Sequence, residues 1–321
     1  MAILITGGNG YIGSHIAKLL HDQANNIIII DKQPDKTFES FGLFVCVDIT
    51  NSNDLDLFVF SKYKISSIIH LAGKAFVSES CTHITDYYNT NVVGTVNILN
   101  MMVKYNIKNI VFSSSCAVYG NANILPITEE TPLNPLSPYG LTKKICEDMI
   151  INYSKVKNIK YVILRYFNVA GNDFECIAHD NEKNYNRLIP TIILKSLRNE
   201  TVLVNGNTYN TRDGTCVRNY IHVLDLANAH VKALLYILQN DTKQLLCNLG
   251  CDENYSILEI INIVEEHMSK KITYEFCNKI NGDPDIVYCD NNLAKNILNI
   301  EIKYTIHDIV KSYINYLQKV K

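Results

Sequence analysis

The feature that most constrains the fold is a glycine-rich stretch near the N-terminus. An apolar run from Ala2 to Thr6 leads into the sequence Gly7-Gly8-Asn9-Gly10-Tyr11-Ile12-Gly13. Apolar residues then recur at helical spacing at Ile16, Leu19 and Leu20. This order predicts a buried strand, a tight turn and a helix that packs on the strand.

The glycine turn is suited to binding a dinucleotide. Its glycines, in the spacing G-x-x-G-x-x-G, are Gly7, Gly10 and Gly13. They let the backbone turn tightly, approach a pyrophosphate and pack helix on strand. A second predicted strand, Asn26 to Ile30, leads to Asp31, whose carboxylate would bind the adenosine ribose hydroxyls and repel a 2'-phosphate. We therefore expect NAD as the cofactor, although a Lys32 side chain facing the ribose would reverse that preference.

Apolar runs and helical patterns alternate through the first half of the chain. Strands are predicted at 43–47, 67–71 and 107–112, with helices near 53–63 and 84–105. Such alternation predicts an α/β fold built on a doubly wound, Rossmann-like parallel sheet. The alternation becomes irregular after residue 168. We therefore expect an NAD-binding domain at 1–168 and a smaller C-terminal α/β substrate lobe at 169–321, with parts of 221–249 packing back on the main domain.

Parallel sheets bind ligands outside the carboxyl ends of their strands. Asp48 and the turn Leu71-Ala72-Gly73 follow two of the predicted strands, so we assign them to the adenine and pyrophosphate side of the cofactor. A serine cluster, Ser113 to Ser115, follows the strand 107–112, and one of its hydroxyls could reach a substrate oxygen. His70 is expected to be an ordinary strand residue whose ring is hydrogen-bonded.

Tyr139 and Lys143 form a candidate catalytic pair. Residues four apart share one helix face, so the phenol and the ammonium project into the same space. Ser137 suits the cap and Pro138 the first position of the helix. A free tyrosine titrates near pH ~10, so a general base at neutral pH needs a lowered pKa, and we expect the Lys143 charge to supply part of that shift.

Charge and cysteine content exclude several classes of protein. With 30 basic and 32 acidic residues, the net charge of -2 gives no reason to expect binding to nucleic acid or to an anionic membrane. The ten cysteines include no C-x-x-C pair, so we expect reduced, mostly buried thiols and no metal site. The N-terminal apolar run has no basic start and is too short for a secretory signal or a membrane span, which favours a cytoplasmic protein.

Taken together, these motifs resemble the extended short-chain dehydrogenase/reductase family and, within it, the UDP-glucose 4-epimerases. The similarity covers essentially the whole chain. Its most specific marks are Thr6 to Gly13, Ser113 to Gly120, Ser137 to Lys143, Leu164 to Asn168 with Gly171, Asp213 to Asp225, and Gly282-Asp283-Pro284.

The resemblance implies a role for individual residues. The catalytic residues would be Ser115, Tyr139 and Lys143. The cofactor would be bound by Gly7, Gly10, Tyr11, Ile12, Gly13, Asp31, Lys32, Asp48, Ile49, Leu71, Ala72, Gly73, Asn91, Tyr139, Lys143 and Tyr166. The substrate would be bound by Ser115, Tyr139, Asn168, Leu188, Arg218 and Asp283. Members are commonly homodimers, through the helix that contains Asn91 and the helix that carries Tyr139.

The resemblance also implies the reaction. UDP-glucose and UDP-galactose would interconvert at C4 through a transient 4-keto sugar, with NAD as a built-in cofactor. UDP-glucuronate 4-epimerase and 4,6-dehydratase or decarboxylase activities remain alternatives, although the dehydratases place an acidic pair where this chain has Cys116 and Ala117. A cofactor-sensing binding module is a third alternative, disfavoured because such modules typically lack the Tyr-x-x-x-Lys pair.

Several positions depart from the family pattern near the substrate. Residues of unexpected type are Ala75, Arg187, Asn205, Asn219 and Ile280, and Lys279 is the residue that could compensate for the arginine usual at 280. Val287 aligns with a position where a tyrosine narrows the sugar pocket in strictly hexose-using members. A small residue there leaves room for a 2-acetamido group, so we expect UDP-N-acetylhexosamines to be accepted as well.

Overall fold

A computed structural model of the chain describes residues 1–34, 40–178, 187–239, 244–279 and 283–319. The strands are β1 (Ala2–Thr6), β2 (Ile27–Asp31), β3 (Leu43–Cys46), β4 (Ile65–His70), β5 (Asn109–Ser115), β6 (Lys160–Tyr166), β7 (Asn168–Ala170), β8 (Val202–Asn205), β9 (Val217–His222), β10 (Gln244–Leu249), β11 (Asn254–Ser256), β12 (Tyr274–Cys277) and β13 (Ile286–Val287).

The helices alternate with these strands. They are α1 (Tyr11–Asp22), α2 (Ser52–Leu55), α3 (Val77–Thr82), α4 (Ile84–Tyr87), α5 (Gly94–Lys104), α6 (Pro138–Lys157), α7 (Leu188–Arg198), α8 (Val223–Gln239), α9 (Ile257–Met268), α10 (Asn292–Leu298) and α11 (Ile306–Lys319). π-helical segments at Asp56–Phe60 and Tyr88–Val93 follow α2 and α4, and a 3-10 turn spans Cys116–Val118. The long helix expected near 84–105 is therefore α4, a π segment and α5 in succession.

The main sheet has seven parallel strands in the order β3-β2-β1-β4-β5-β6-β10. Successive residues of a strand face opposite sides of the sheet. Ile3 and Ile5 pack in the apolar cluster that includes α1 and α8, whereas Leu4 packs in the cluster that includes α5 and α6. Helices thus cover both faces, which confirms the predicted doubly wound α/β fold.

The second half of the chain adds smaller sheets. β9 pairs antiparallel with β11 and parallel with β7 and β13, and β8 pairs with β12. A third apolar cluster joins α7, α9 and α11 beside these strands. β10 pairs with β6 of the main sheet, and α8 packs against α1. The division of the chain into 1–168 and 169–321 stays a prediction.

Two expectations about local structure need correction. β5 continues through Ser115, whereas a strand ending at Phe112 was expected, because its pairing with β6 extends to Ser115 although its pairing with β4 ends at Phe112. The thiols are not mostly buried. Of the ten cysteines, all unpaired, the buried ones are Cys146, Cys216, Cys247 and Cys289, while Cys46, Cys81 and Cys277 are exposed.

Candidate active site

All seven strands of the main sheet end at one edge. Their last residues are Thr6, Asp31, Cys46, His70, Ser115, Tyr166 and Leu249. Because the strands are parallel, these ends meet at the same side of the molecule. The structure therefore brings together the predicted cofactor residues, which lie at or just after these ends or on the adjoining helices.

The glycine turn leaves space where other residues would not fit. Gly7 has a φ of +69°, and a Cβ there would lie 2.8 Å from the Ala72 backbone. A Cβ at Gly13 would lie 2.3 Å from the Gly7 carbonyl oxygen. Gly10 caps α1, and no side chain of the described residues caps that helix end. The first amides of α1 face the turn, so the geometry fits a dinucleotide pyrophosphate.

The two acidic residues expected near the adenosine are both held by local hydrogen bonds. Asp31 is half-buried, burial raises the pKa of its carboxyl, and its Oδ1 accepts from the Gln33 amide at 3.2 Å. Lys32 is exposed. Asp48 accepts from the amide and hydroxyl of Thr50, each at 2.8 Å, and the following residue, Ile49, is buried.

The turn after β4 is fastened by Asn91. Its Oδ1 accepts from the Lys74 amide at 2.8 Å, and its Nδ2 donates to Thr142 Oγ1 on α6 at 3.0 Å. Thr6 Oγ1 accepts from the amides of Leu71 and Ala72. His70 contacts Thr6 and Thr95 through its two ring nitrogens, as expected of a satisfied strand histidine.

The start of α6 places the candidate catalytic pair. Ser137 Oγ accepts from the Gly140 amide at 3.1 Å, and Pro138 occupies the first helical position, as predicted. Tyr139 lies in this first turn, and its ring packs edge-on against Tyr87 with centroids 6.3 Å apart. The cap therefore fixes the position of the phenol relative to the sheet.

Tyr139, Ser115 and Lys143 meet at the ends of β5 and β6. The Ser115 hydroxyl lies near the Tyr139 phenol and favours its ionised form, and all three side chains are buried. Lys143 Nζ donates to the Ser113 carbonyl at 2.7 Å and lies 4.9 Å from the centre of the Phe112 ring. The Tyr139 phenol and the Ser115 hydroxyl thus lie at the strand ends, and the Lys143 ammonium lies one helical turn along α6, at the Ser113 carbonyl.

The electrostatics of Tyr139 differ from the expectation. Burial raises the pKa of its phenol far above the ordinary value, and the nearby Tyr166 hydroxyl adds to this effect, while the Ser115 hydroxyl opposes it. Burial also lowers the pKa of Lys143. In the protein alone, desolvation of the phenolate therefore dominates, and the expectation that the Lys143 charge contributes to lowering the pKa of Tyr139 stays a prediction.

Arg218 and Asp283 form an ion pair beyond the sheet edge. Arg218 Nη2 donates to Asp283 Oδ1 at 2.6 Å, and Val287 pairs with Arg218 in the β9–β13 ladder. Asn168 opens β7 and is exposed, and Leu188 opens α7. The opposite charges of the pair sit beside the segment that carries Val287.

The departures from the family pattern have different surroundings. The Arg187 guanidinium lies 4.0 Å from the centre of the Tyr11 ring. Asn205 Oδ1 accepts from Cys277 Sγ at 2.9 Å. Lys279 Nζ donates to Asp285 at 2.8 Å, so its charge is already paired. Ala75 precedes α3, and Ile280 lies outside the described residues.

Asn219 has a structural task. Its Nδ2 donates to the carbonyls of Cys251 and Glu253 at 2.8 and 2.6 Å, and its Oδ1 accepts from the Cys251 amide at 3.0 Å. An aspartate could not donate to the two carbonyls. The asparagine amide therefore supplies both the donor and the acceptor that the loop after β10 requires.

Two pairs of buried polar side chains near the site were not predicted. Ser113 Oγ contacts His230 Nε2 at 2.8 Å, and Arg165 on β6 pairs with Glu147 on α6. The sequence signal for the second was an arginine inside the apolar run of β6, since a buried guanidinium needs a partner. Its partner could not be read from spacing alone.

Comparison with known proteins decides the family. Residues 3–250 match the NAD dependent epimerase/dehydratase family. This chain belongs to that family. As an NAD-dependent family member it is an enzyme that uses NAD, as predicted from the glycine turn and Asp31.

Individual family members resemble the whole chain. The UDP-glucose 4-epimerase of Halalkalibacterium halodurans is 36% identical over 95% of this chain and 91% of its own length. The crystal structure of UDP-glucose 4-epimerase from Brucella ovis in complex with NAD superimposes with a TM-score of 0.93 at 35% identity, covering 98% of each chain. The enzyme of that name from Bifidobacterium longum, in complex with NAD+ and UDP, has a TM-score of 0.92 at 32% identity and covers 99% of this chain and 98% of that chain. The predicted resemblance to UDP-glucose 4-epimerases is confirmed.

Proposed function

We propose that the protein interconverts UDP-glucose and UDP-galactose by inverting C4. The observation that carries this proposal is the convergence of Tyr139, Ser115 and Lys143 at the sheet edge that also holds the glycine turn. Relatives that carry the name UDP-glucose 4-epimerase cover nearly the whole chain. The rest of the proposal assigns a task to each group.

The glycine turn and the neighbouring strand ends would hold NAD. The α1 amides would bind the pyrophosphate, Asp31 the adenosine ribose, and Asp48 with Ile49 the adenine. Asn91 holds the turn Leu71-Ala72-Gly73 against the same groove. When bound, NAD supplies the oxidant for C4 and the reductant that reverses the oxidation.

Tyr139 would act as the base for the sugar 4-hydroxyl. Its phenol must lose a proton, and burial opposes this in the protein alone. Positive charge beside it is therefore required, which Lys143 and the bound cofactor can provide. Ser115 lies near Tyr139 and would bond to the same sugar oxygen, which orients the proton for its return.

The substrate diphosphate would bind beyond the sheet edge. Arg218 offers a planar guanidinium, which can bind phosphate with two parallel bonds. Asp283 holds that guanidinium in place and, by resemblance, is one of the substrate-binding residues. The α7 amides at Leu188 and the Asn168 side chain complete the proposed contacts.

The environment of Tyr139 disfavours the dehydratase alternative. Elimination at C5 and C6 needs an acid and a base beside the sugar. The groups that act most on the Tyr139 phenol are the hydroxyls of Tyr166 and Ser115, the Cys116 thiol and the Tyr87 phenol. A carboxylate following Ser115 would be needed, and Cys116 and Ala117 occupy those positions.

We also infer a cytoplasmic homodimer. Apolar side chains are exposed on the helices that the resemblance assigns to the interface: Val93 is 43% exposed, Val103 37% and Leu141 39%. All ten cysteines are unpaired, as in a reducing compartment. Within the described residues, no helix has the length and apolar character to cross a membrane. Light scattering after size exclusion should give twice the chain mass of 36.4 kDa.

The activity is tested by incubating the purified protein with UDP-galactose and identifying products by proton NMR. We expect UDP-glucose, and we expect Tyr139→Phe to lower kcat by roughly 100-fold or more while circular dichroism stays unchanged. A 4-keto-6-deoxy product would instead place the protein among the dehydratases. A Tyr139→Phe variant of normal rate would remove Tyr139 from the mechanism.

A further inference from the structure

A buried ion pair joins α6 to β6 behind the candidate site. Arg165 Nε donates to Glu147 Oε1 at 3.0 Å, and its Nη2 donates to Oε2 at 2.6 Å. Ser114 Oγ on β5 donates to the same carboxylate. The side chains of Arg165 and Glu147 are only 4% and 1% exposed. The Glu147 carboxylate therefore links α6 to β5 and β6.

The contacts continue across the sheet from the arginine. Arg165 Nη1 donates to the Tyr119 hydroxyl at 2.9 Å, and that hydroxyl donates to Asn248 Oδ1 on β10 at 2.7 Å. Both of these residues are buried. The guanidinium also lies 4.9 Å from the centre of the Tyr119 ring.

The three residues that meet at this carboxylate, Ser114, Arg165 and Glu147 itself, each lie next to a residue of the proposed active site. Ser114 precedes Ser115, Arg165 precedes Tyr166, and Glu147 lies one helical turn after Lys143. Adjacent strand residues face opposite sides of a sheet, so the pair lies on the α6 side while Ser113 contacts His230 on α8. The pair can therefore set the position of α6 against the sheet without occupying the space proposed for the sugar.

Stability alone is a weak reason for such a pair. Burying two charges is expensive, and well-packed apolar residues of similar size often serve as well or better. A buried pair does, however, define one relative position of the elements it joins, because a shifted helix would leave both charges unpaired.

We propose that Glu147, held by Arg165 and Ser114, is a positioning residue that sets where the Lys143 ammonium and the Tyr139 hydroxyl lie relative to Ser115. This inference rests on the proposed C4 epimerase function. Its charge acts in addition to its geometry. Burial lowers the pKa of Lys143, and the titratable groups around this ammonium are Cys146 and Glu147 on α6, which oppose that effect, and the neutral His70 on β4.

The test compares Glu147→Gln with the double variant Glu147→Leu/Arg165→Met. For Glu147→Gln, we expect kcat with UDP-galactose to fall at least tenfold, with KM changed less than threefold. The pH profile of kcat should narrow from both sides. Lys143 loses its proton at lower pH once the Glu147 charge is removed. Tyr139 ionises at higher pH because a displaced Lys143 ammonium stabilises its phenolate less, and we expect this effect to exceed the direct effect of removing the Glu147 charge. The double variant, which removes both charges, should recover thermal stability but not kcat or the profile.

Two controls separate a positioning role from a structural one. Asp225→Asn removes another buried carboxylate, which accepts from the amides of Lys303 and Tyr304. It should lower stability and leave the pH profile unchanged. If Glu147→Gln or the double variant has wild-type kcat and an unshifted profile, the pair is structural only and the proposal fails.

A measurement that needs no substrate turnover distinguishes failure of the positioning inference from failure of the proposed epimerase function. Ultraviolet difference titration of the NAD-loaded protein, with Tyr139→Phe as the reference, follows the ionisation of Tyr139 whichever sugar is used. Glu147→Gln should shift this titration to higher pH. An unshifted titration would overturn the inference even if wild-type protein proved inactive on UDP-galactose.

Discussion

At the scale of single residues, side chains that depart from a family pattern are explained by their contacts. Asn219 is an example, since the aspartate expected there could not donate to the carbonyls of Cys251 and Glu253. The sequence alone marked the position as unusual. Only the loop geometry gives the reason, because hydrogen-bond partners that lie over thirty residues away cannot be read from spacing.

We expect Asn219→Asp to destabilise the protein by roughly 2–4 kcal/mol, since two donors are lost and a carboxylate is buried against carbonyl oxygens. The matched control is Asn262→Asp, which makes the same change at an exposed residue on α9. This control should change the free energy of unfolding by less than about 0.5 kcal/mol. Urea unfolding measures both, and equal values would refute the assigned contacts.

Val287 tests the width of the sugar pocket. It packs beside Val118, Tyr119 and Cys289, next to Arg218 on β9. We expect wild-type protein to convert UDP-N-acetylgalactosamine, and Val287→Tyr to lower that activity roughly 10- to 200-fold while UDP-galactose turnover changes little. Val287→Ala should keep both activities. Equal loss of both in Val287→Tyr would show that the side chain does not select by size.

At the scale of elements, helix caps and strand ends were predictable, and contacts between elements were not. Ser137 and Pro138 correctly predicted where α6 begins, because capping is a local property. Ser113 to Ser115 were expected to follow the strand 107–112 and not to be part of it, since serine is common in turns. They lie in β5, where Ser113 and Ser114 bond to side chains on opposite faces of the sheet. Tertiary contacts outweighed the local preference.

Asn91 connects three elements around the proposed cofactor groove. Its side chain accepts a hydrogen bond from the Lys74 amide and donates to the Lys74 carbonyl and to Thr142 Oγ1. Asn91→Ala should release the turn after β4 and weaken NADH binding at least tenfold, which corresponds to about 1.4 kcal/mol. Asn262→Ala, an exposed change on α9, should have no effect. Fluorescence titration with NADH measures the affinity, and unchanged binding by Asn91→Ala would argue against this connection.

At the scale of the whole molecule, the parallel α/β architecture was predictable because strand and helix patterns alternate so regularly. The smaller sheets of the second half were not, since β7, β11 and β13 are only two or three residues long and depend on β9 for pairing. Buried polar groups distributed over both halves also give the molecule a pH dependence that the sequence does not reveal.

Buried neutral histidines should make the fold sensitive to acid. Burial lowers the pKa of His70 and His222 to about 3 and that of His230 to about 4. Between those values and about 6.5, the unfolded chain binds protons that the folded chain does not. Stability should therefore fall as the pH drops below about 6.5, by about 1.4 kcal/mol per histidine for each pH unit.

Protonation of Asp225 raises the stability of the fold as the pH falls, but this one carboxyl is opposed by three histidines. Burial raises the pKa of its carboxyl to about 6, so the folded chain takes up this proton first. Urea unfolding at pH 7.5, 6.5, 5.8 and 5.0, with protein and NAD concentrations fixed, should show a decreasing free energy of unfolding. A constant or rising value over this range would mean that the histidines are not buried in neutral form.

The most direct test of the central claim follows the hydrogen at C4. UDP-galactose carrying deuterium at C4 is incubated with the purified protein in ordinary water, and the product is analysed by NMR and mass spectrometry. Transient oxidation with a built-in cofactor predicts UDP-glucose that retains the deuterium at C4, because the hydrogen removed from the sugar is returned to it. Product that has lost the deuterium to solvent, or no conversion by protein that holds NAD, would contradict the proposed epimerase mechanism.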